Sequence, residues 1–365
     1  MEEARTALLS GQEQESILRI YTILQQELHG DKLDTGLYPT PLSLARFMVA
    51  IAQPERGETI YDPACGIGTF FIEARRYIVA HDGTISNTFL GYDINPRLLE
   101  ICKDWMEAND IDISHIRERD KLTPDLLDSE EDDSNFFKGK YLILTHPPYE
   151  QIAYQSGKKD RQSKGPINYY DIACVHHCME ILRKYPTGRC GIIVPRAFFS
   201  NRAKNSRMLR CQLINEFNLR LLVRLPEQLF ATAEKDVKYH SYLLYFDKQS
   251  TTSTILRCNI REDEALVPSR SRQSSDGASF DEAENIWKQW KGQSSLPLEG
   301  QKYAWILDAK TEAERDKDYR LIDAIPSSEE EASIPLNELM QQLVEQTGEL
   351  YKLAQQLQKR IKEGV

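Results

Sequence analysis

Apolar, strand-like segments alternate with helical patterns between about residues 36 and 248, and this alternation constrains the fold more than any other feature of the sequence. Within a chain of 365 residues, it favours a parallel-type sheet with helices on both faces. We therefore predict an α/β fold with a doubly wound core. The predicted strands are ETIYDPA, TFLGYDIN, YLILTHPP, RCGIIVP, LRLLVRLP and YHSYLLYFD.

Four segments are predicted along the chain. Ile17, Ile20 and Leu24 share one face of a helical pattern, which predicts a short helical leader before the core. Near the carboxyl terminus, apolar residues alternate spacings of four and three over nearly four heptads, which predicts a coiled-coil helix; a terminal helix packed on its own domain is the alternative. The segments are residues 1–35 (leader), 36–250 (core), 251–332 (variable region with a polar linker) and 333–365 (coiled-coil helix).

The charge and cysteine pattern limits where the protein works and what it binds. The formal net charge is -10, so a contact with nucleic acid requires a local basic patch or a partner. The seven cysteines form no CxxC pair and no apolar leader opens the chain, which indicates a reducing, cytoplasmic location. No apolar run approaches the roughly 20 residues that a membrane span requires, so we expect no membrane contact.

A glycine-containing turn and an acidic residue follow the first two predicted strands. Gly66 and Gly68 in YDPACGIGTF allow a sharp turn and the close approach of a ligand to the backbone before a helix begins. Asp93 ends the next strand, where its carboxylate can accept hydrogen bonds from both hydroxyls of a ribose. The alternative role for Asp93 is the N-cap of a helix that begins near Pro96.

The strand YLILT runs directly into His146, Pro147, Pro148 and Tyr149. Neither proline has an N–H to donate, so the strand must stop and place these residues at its carboxyl end. Ligands of open α/β sheets bind at that edge. The alternative is an ordinary Pro-Pro turn followed by a surface tyrosine.

Together these motifs resemble S-adenosylmethionine-dependent amino-methyltransferases. They are most similar to the modification subunit of type I restriction systems, an N6-adenine DNA methyltransferase family. The resemblance runs through LYPTPLSLARFMVAIAQPERGETIYDPACGIGTFFIEA, RDKLTPD, THPPY, GRCGIIVPRAFFS, LRLLVRLPEQLFA and YLLYFDK. It implies a Rossmann-like methyltransferase core with S-adenosyl-L-methionine as cofactor and no metal.

The resemblance also implies a role for each matching position. Members of this family bind the methionine end of the cofactor, its backbone, its ribose and its adenine amine with separate motifs. The corresponding residues here are Tyr38, Thr40 and Pro41 for the methionine end, Asp62, Pro63, Ala64, Gly66 and Gly68 for the backbone, Asp93 for the ribose and Asp120 for the adenine amine.

His146 departs from the family pattern, which has asparagine at this position. In the family, that side chain and the carbonyl of the following proline accept hydrogen bonds from the target amine, while the aromatic residue stacks on the flipped base. Neutral His146 can supply an acceptor through Nδ1, and protonated His146 cannot. We therefore expect transfer to fall as the pH drops through about 6.5. The alternative is that His146 marks a cofactor-binding site that has lost catalysis.

Two basic stretches are predicted to line the DNA side of the site. QSGKKDRQSKG follows the HPPY turn, and PRAFFSNRAKNSRMLR follows another strand end. The residues of this predicted rim are Lys158, Lys159, Arg161, Lys164, Arg196, Arg202 and Lys204, and the second stretch continues to Arg207 and Arg210. ACVHHCME, in contrast, lies in a helical pattern with apolar neighbours and is predicted to be a core helix rather than a metal site.

We predict a site-specific, adenine-specific DNA methyltransferase acting as the modification subunit of a restriction or phage-defence complex. No segment resembles a domain that reads DNA sequence, so a specificity subunit is expected to bind the C-terminal helix, and a restriction or translocase subunit is a further expected partner. Two alternatives stay open: a non-catalytic cofactor-binding scaffold in such a complex, and a methyltransferase acting on RNA or on protein glutamine.

Overall fold

The computed structural model describes most of the chain between residues 40 and 321. The described residues are 2–9, 16–17, 19–20, 23, 40–122, 133–149, 170–227, 229–230, 240–261, 278–290, 303–317 and 319–321. All of them belong to one compact unit, Met1–Ala324, and a second unit, Ile325–Val365, lies outside them. Within the described part of the chain, no helix has both the length and the apolar character needed to cross a membrane.

The strands are short and mostly buried, as expected for the interior of an α/β sheet. They are β1 (Thr59–Asp62), β2 (Thr88–Asp93), β3 (Ile116–Glu118), β4 (Tyr141–Thr145), β5 (Arg189–Pro195), β6 (Asn218–Arg224), β7 (Ser241–Asp247), β8 (Thr254–Asn259) and β9 (Ala304–Asp308).

The helices connect and cover these strands. They are α1 (Glu2–Leu9), α2 (Leu42–Ala52), α3 (Thr69–Asp82), α4 (Pro96–Glu107), α5 (Tyr170–Lys184), α6 (Arg196–Ser200), α7 (Lys204–Asn215), α8 (Phe280–Trp290) and α9 (Ala309–Arg315).

All of the described strands join one sheet, in the order β3-β2-β1-β4-β5-β7-β6-β8-β9. From β3 to β5 in this order, each strand runs parallel to the next. The strand order reverses between β1 and β4, so the carboxyl ends of these two strands flank the crevice where doubly wound sheets bind ligands. The glycine turn follows β1 and the HPPY sequence follows β4, so both motifs lie at this crevice.

Two hydrophobic cores cover the two faces of the sheet. One includes α2, α3, α4 and α8 with Leu142 and Leu243, and the other includes α5 and α7 with Ile143. Alternate residues of one strand therefore enter opposite cores, as the two-residue period of a strand requires. This arrangement confirms the predicted doubly wound α/β fold.

The six predicted strands are all present, but the sheet differs from the prediction in two ways. Strand β7 runs antiparallel to both β5 and β6, so the sheet is not entirely parallel. The sheet also continues through β8 and β9, past residue 250, where the core was predicted to end. The sequence missed these two strands and the three-residue strand β3.

The leader packs against the core in the part that is described. Arg5 of α1 pairs with Glu100 and Asp104 of α4, with 3.1 Å between Arg5 Nη1 and Glu100 Oε1. Leu8, Ile17 and Ile20 are buried in the same core as α4. The predicted coiled-coil helix, residues 333–365, lies outside the described residues.

Candidate functional site

Two glycines shape the turn between β1 and α3. Gly66 has a φ of +55° and Gly68 a φ of +83°, a left-handed conformation that favours glycine. A Cβ atom on Gly68 would lie 2.7 Å from the Sγ atom of Cys102 in α4, closer than the two atoms can pack. Gly68 also immediately precedes the first residue of α3. The predicted sharp turn at a helix N-terminus is therefore present, and it sits at the β1/β4 crevice.

The carboxylate of Asp93 joins this turn to the end of β2. Its Oδ2 atom accepts a hydrogen bond from the N–H of Gly66 at 2.8 Å, and its Oδ1 atom accepts one from the N–H of Asn95 at 2.9 Å. Burial raises the pKa of Asp93, while these N–H groups oppose that shift. A carboxylate has about four lone-pair positions, so two backbone bonds leave capacity for further donors.

The N-cap of α4 is Asn95 and not Asp93. The Oδ1 atom of Asn95 accepts hydrogen bonds from the N–H groups of Arg97 at 3.0 Å and Leu98 at 3.4 Å. The cap interpretation of Asp93 is therefore wrong, because the residue two positions later satisfies the first helical N–H groups. Asp93 remains available to the crevice.

Asp62 ends β1 with its side chain buried under the glycine turn. Its Oδ1 atom accepts a hydrogen bond from the N–H of Ala64 at 3.0 Å. The pKa of Asp62 is raised to about 7, mainly by burial, with a smaller contribution from the nearby Asp93 carboxylate, while the Ala64 N–H opposes the shift. The carboxyl group thus stabilises the turn from within. Pro63 is likewise buried, and Ala64 is partly exposed.

Two more residues at the same edge suit a nucleoside. Asp120 follows β3, accepts a hydrogen bond from the N–H of Leu122 at 2.9 Å, and is close enough for its charge to raise the pKa of Asp93. Ile94, directly after Asp93, leaves 56% of its surface exposed and so offers an apolar side chain at this edge. Ile94 was not among the predicted site residues, although an isoleucine next to a ribose-type acid could have indicated an apolar wall for a planar base.

Four polar side chains meet around the HPPY sequence. The Nδ1 atom of His146 is 3.1 Å from the Oγ1 atom of Thr40, and its Nε2 atom is 3.2 Å from the hydroxyl oxygen of Tyr149. The Tyr149 hydroxyl in turn forms a hydrogen bond with the hydroxyl of Ser241, the first residue of β7, with 3.2 Å between the two oxygens. The ring of Phe230 lies 4.7 Å from the His146 ring, centroid to centroid. Neither Ser241 nor Phe230 was predicted to belong to the site.

His146 is neutral at ordinary pH. Burial lowers the pKa of its imidazole to about 3, because the charged form loses its hydration inside the protein. The expected loss of activity near pH 6.5 is therefore wrong, since the ring stays unprotonated well below that pH. Pro147 is buried, while Pro148 and Tyr149 are partly exposed at the crevice.

The basic stretch after β5 divides into exposed and buried residues. The exposed ones are Arg196, Arg202, Lys204 and Arg207. The N–H of Arg196 donates to the carbonyl of His240, next to Ser241, at 2.7 Å. Arg210 is instead buried and donates to the carbonyl oxygens of Phe198 and Asn201 at 2.6 and 3.0 Å. Arg210 therefore stabilises the α6–α7 connection and does not belong to a DNA rim. Tyr38, Lys158, Lys159, Arg161 and Lys164 lie outside the described residues.

The ACVHHCME sequence forms part of α5, as predicted. Cys174, Cys178 and His177 are buried, and the Nε2 atom of His177 is 2.8 Å from the Tyr61 hydroxyl oxygen. Across the described residues, no group of three or more His, Cys, Asp or Glu side chains could hold a metal ion. His177 therefore serves as a hydrogen-bonded core residue.

Comparisons with known proteins identify the family of this chain. A family model for N-6 DNA methylases matches residues 13–333. The methylase subunit of the type I restriction enzyme HindI from Haemophilus influenzae is 26% identical over 208 residues, which cover 55% of this chain and 44% of the relative. The methylase subunit of type I restriction enzyme EcoKI from Escherichia coli is 24% identical over 272 residues, covering 70% of this chain and 48% of the relative.

Solved structures share the fold. The crystal structure of the type I restriction enzyme EcoKI M protein superposes with a TM-score of 0.58 at 19% sequence identity, covering 90% of this chain and 74% of that protein. The chain thus spans a little under half the length of the two relatives matched by sequence.

Proposed function

Because the chain belongs to the N-6 DNA methylase family, we propose that it transfers a methyl group from S-adenosyl-L-methionine to the exocyclic amine of adenine in DNA. We propose further that it acts as the modification subunit of a restriction or phage-defence complex. The observation that carries this function is one crevice: the glycine turn with Asp93 and the HPPY sequence follow the two strands that flank the switch point of the sheet.

The residues present fit this cofactor. Gly66 and Gly68 leave two positions of the turn without a Cβ atom, so a ligand can approach the backbone there. Asp93 keeps acceptor capacity for ribose hydroxyls, and the exposed Ile94 offers an apolar surface to adenine. Asp120, at the same edge, offers an acceptor for an adenine amine. When bound, S-adenosylmethionine supplies the methyl group as an electrophilic sulfonium.

The chain's own residues activate and orient the target amine. An adenine amine is a poor nucleophile because its lone pair is delocalised into the ring, and two hydrogen-bond acceptors concentrate that lone pair on nitrogen. In this chain the acceptors are the carbonyl of Pro147 and the Nδ1 atom of neutral His146. Tyr149 contributes its ring to the flipped base. Catalysis then rests on positioning and on these acceptors.

Partners complete the proposed complex. The exposed Arg196, Arg202 and Lys204 lie beyond the carboxyl end of β5, next to the crevice, where they suit contacts with DNA phosphates. Lys158, Lys159, Arg161 and Lys164 extend this proposed rim. Because the net charge of this chain is -10, we assign recognition of the DNA sequence to a specificity subunit that binds residues 333–365. A restriction or translocase subunit is a further proposed partner.

A methyl-transfer assay on the complete complex tests the proposal. Radiolabelled methyl groups from S-adenosylmethionine should appear on adenine in DNA, and calorimetry should show cofactor binding by the unmutated protein. Asp93→Ala should weaken that binding by about 1.5 to 3 kcal/mol, the worth of hydrogen bonds to a charged group. Asp112→Ala is a matched control, because Asp112 also accepts a backbone N–H bond, from Ser114 at 2.9 Å, but is exposed in the loop before β3.

A non-catalytic, cofactor-binding scaffold is the second candidate, since the Thr40 hydroxyl already lies against the Nδ1 atom of His146. Cofactor binding without transfer by the unmutated complex, together with transfer by His146→Asn, would establish the scaffold. Absence of cofactor binding would overturn both candidates. If the radiolabelled methyl group appears on RNA or on protein glutamine and not on DNA, the proposed substrate is wrong, while the proposed methyl transfer still stands.

A further inference from the structure

One buried carboxylate lies behind the proposed cofactor site. Asp133 belongs to the acidic stretch DSEEDDSN, residues 128–135, a composition that is typical of a solvent-exposed loop. Its side chain is instead only 7% exposed. Its Oδ2 atom lies 2.7 Å from the Nζ atom of Lys121, and its Oδ1 atom accepts a hydrogen bond from the Tyr92 hydroxyl at 2.6 Å. Lys121 and Tyr92 are buried as well.

The two partners of Asp133 are the sequence neighbours of the two proposed nucleoside acceptors. Tyr92 immediately precedes Asp93 in β2, and successive side chains of a strand point to opposite faces, so Tyr92 enters the core while Asp93 bonds the glycine turn. Lys121 immediately follows Asp120, and its Nζ atom lies 4.7 Å from the centre of the Tyr92 ring. One carboxylate therefore joins the two segments that carry these acceptors.

Of the two acceptors, Asp120 depends more on this carboxylate. Asp93 ends β2, which lies between β1 and β3 in the sheet, and its own carboxylate accepts two backbone N–H bonds. Asp120 lies beyond the end of β3, the three-residue strand at the edge of the sheet. An edge strand has a neighbour on one side only, so the chain that follows it relies more on side-chain contacts. Lys121 supplies such a contact through Asp133.

The buried ion pair restricts the backbone at Asp120. An isolated charge inside a protein is strongly unfavourable, so the Lys121 ammonium stays with the Asp133 carboxylate. Because consecutive Cα atoms are only about 3.8 Å apart, a fixed Lys121 leaves the backbone of Asp120 little freedom. The Asp120 carboxylate accepts the N–H of Leu122 at 2.9 Å, which orients its side chain relative to the same backbone.

We propose that Asp133 is a positioning residue for the adenine end of the cofactor. Through Lys121 it fixes the backbone at Asp120, and thereby the acceptor that the adenine amine meets. Asp133 acts through these neighbours and not by contact with the cofactor. This inference rests on the proposed function, because it assigns how one residue of the cofactor site is held.

Asp133→Asn, made in two backgrounds, tests the inference. Asparagine keeps the side-chain volume and an acceptor for the Tyr92 hydroxyl, but it lacks the charge that holds Lys121. In the unmutated background, calorimetry should show S-adenosylmethionine binding weakened about tenfold, the scale of one hydrogen bond to a charged group. In the Asp120→Ala background, the same substitution should leave the affinity unchanged, because the acceptor that it positions is already absent. An equal loss in both backgrounds, or no loss in either, overturns the proposal.

The preference for adenine is a second readout, which global destabilisation does not change. S-adenosylhomocysteine carries the amine that Asp120 is proposed to bind, whereas its inosine counterpart has a carbonyl oxygen at that position. Asp133→Asn should lower the ratio of the two affinities, as Asp120→Ala should. If Asp133→Asn weakens the binding of both compounds equally, the carboxylate is merely structural and the proposal is overturned.

Glu58→Gln is the matched control. Glu58 is also buried and pairs with Arg189 at 2.7 Å, but this pair lies at the amino ends of β1 and β5, the sheet edge opposite the crevice. Glu58→Gln should lower the free energy of unfolding and leave cofactor affinity and adenine preference unchanged. An equal loss of affinity in Glu58→Gln and Asp133→Asn would show a general effect of destabilisation and overturn the proposal.

A double variant keeps the test valid if Asp133→Asn does not fold. Adding Lys121→Met removes the unpaired ammonium and should restore folding, while the weaker cofactor binding and the reduced adenine preference remain. Normal binding by the double variant overturns the proposal. Failure of the unmutated protein to bind S-adenosylmethionine would instead overturn the proposed function, and this inference with it.

Discussion

Gly68→Ala tests two structural requirements at Gly68, which lies in the turn between β1 and α3. The first is the left-handed φ of +83°, which costs an L-residue about 1 to 2 kcal/mol. The second is the 2.7 Å approach of the new methyl group to the Sγ atom of Cys102, and overpacking of this kind costs about 1 to 3 kcal/mol. The free energy of unfolding should therefore fall by about 2 to 5 kcal/mol.

Gly83→Ala provides the matched control at the other end of the same helix. Gly83 has a φ of +74°, but no described atom lies within 4 Å of the position that a Cβ atom would take there. The substitution therefore carries the cost of the left-handed φ and no cost of overpacking. Its cost should be about 1 to 2 kcal/mol. Both variants are compared by denaturant unfolding, and cofactor affinity is measured by calorimetry. Only Gly68→Ala should also weaken cofactor binding, because only Gly68 lies in the turn.

Cys102→Ala in the Gly68→Ala background tests the steric term directly. Removing the Sγ atom leaves contacts of 3.5 Å or more around the new methyl group, which is ordinary packing. The double variant should therefore recover stability relative to the sum of the single effects. Equal losses for Gly68→Ala and Gly83→Ala, or no recovery in the double variant, would refute the reasoning.

Three further predictions concern buried ionisable groups. Asp133→Ala leaves the buried Lys121, 2.7 Å away in the unmutated protein, without its carboxylate, and should lower the free energy of unfolding by about 3 to 5 kcal/mol, with partial recovery on adding Lys121→Met. The folded state keeps the Asp62 proton up to about pH 7 whereas the unfolded state releases it near 3.8, so stability falls as the pH rises between these values. Asp62→Asn should therefore be the more stable protein at about pH 8 and not at about pH 4; the reverse order of unfolding midpoints would contradict this. Because the pKa of His146 is lowered to about 3, the pH profiles of kcat for the unmutated complex and His146→Asn should run parallel from about pH 5 to 8, and an acid limb confined to the histidine enzyme would disprove it.

Local patterns in the sequence determined the strands that flank the crevice. Strand β4 is buried along its length, its residues before Thr145 are apolar, and the prolines after His146 prevent its continuation. The two glycines likewise mark their turn without help from the rest of the chain. These features follow from backbone geometry and side-chain period, so neighbouring residues suffice to predict them.

Strands β3 and β8 escaped prediction because their sequences do not resemble buried strands. Strand β3 has only three residues. Strand β8 places Arg257 in a fully buried position, where the rings of Tyr242 and Trp305 lie 5.2 and 5.8 Å from its guanidinium carbon. A buried arginine is favourable only when such partners surround it. Because these partners are distant in the sequence, no local pattern predicts them. The antiparallel direction of β7 likewise depends on which strands it joins.

The tertiary structure alone decided how the site's side chains behave. The HPPY sequence identified His146, but its lowered pKa arises from burial, and its hydrogen bonds come from Thr40 and, through Tyr149, from Ser241. Ser241 is 95 positions after His146, and in the sequence it is simply the first polar residue of a strand. Protonation and hydrogen-bond direction depend on the groups that surround a side chain in space, and folding brings those groups together from distant parts of the chain.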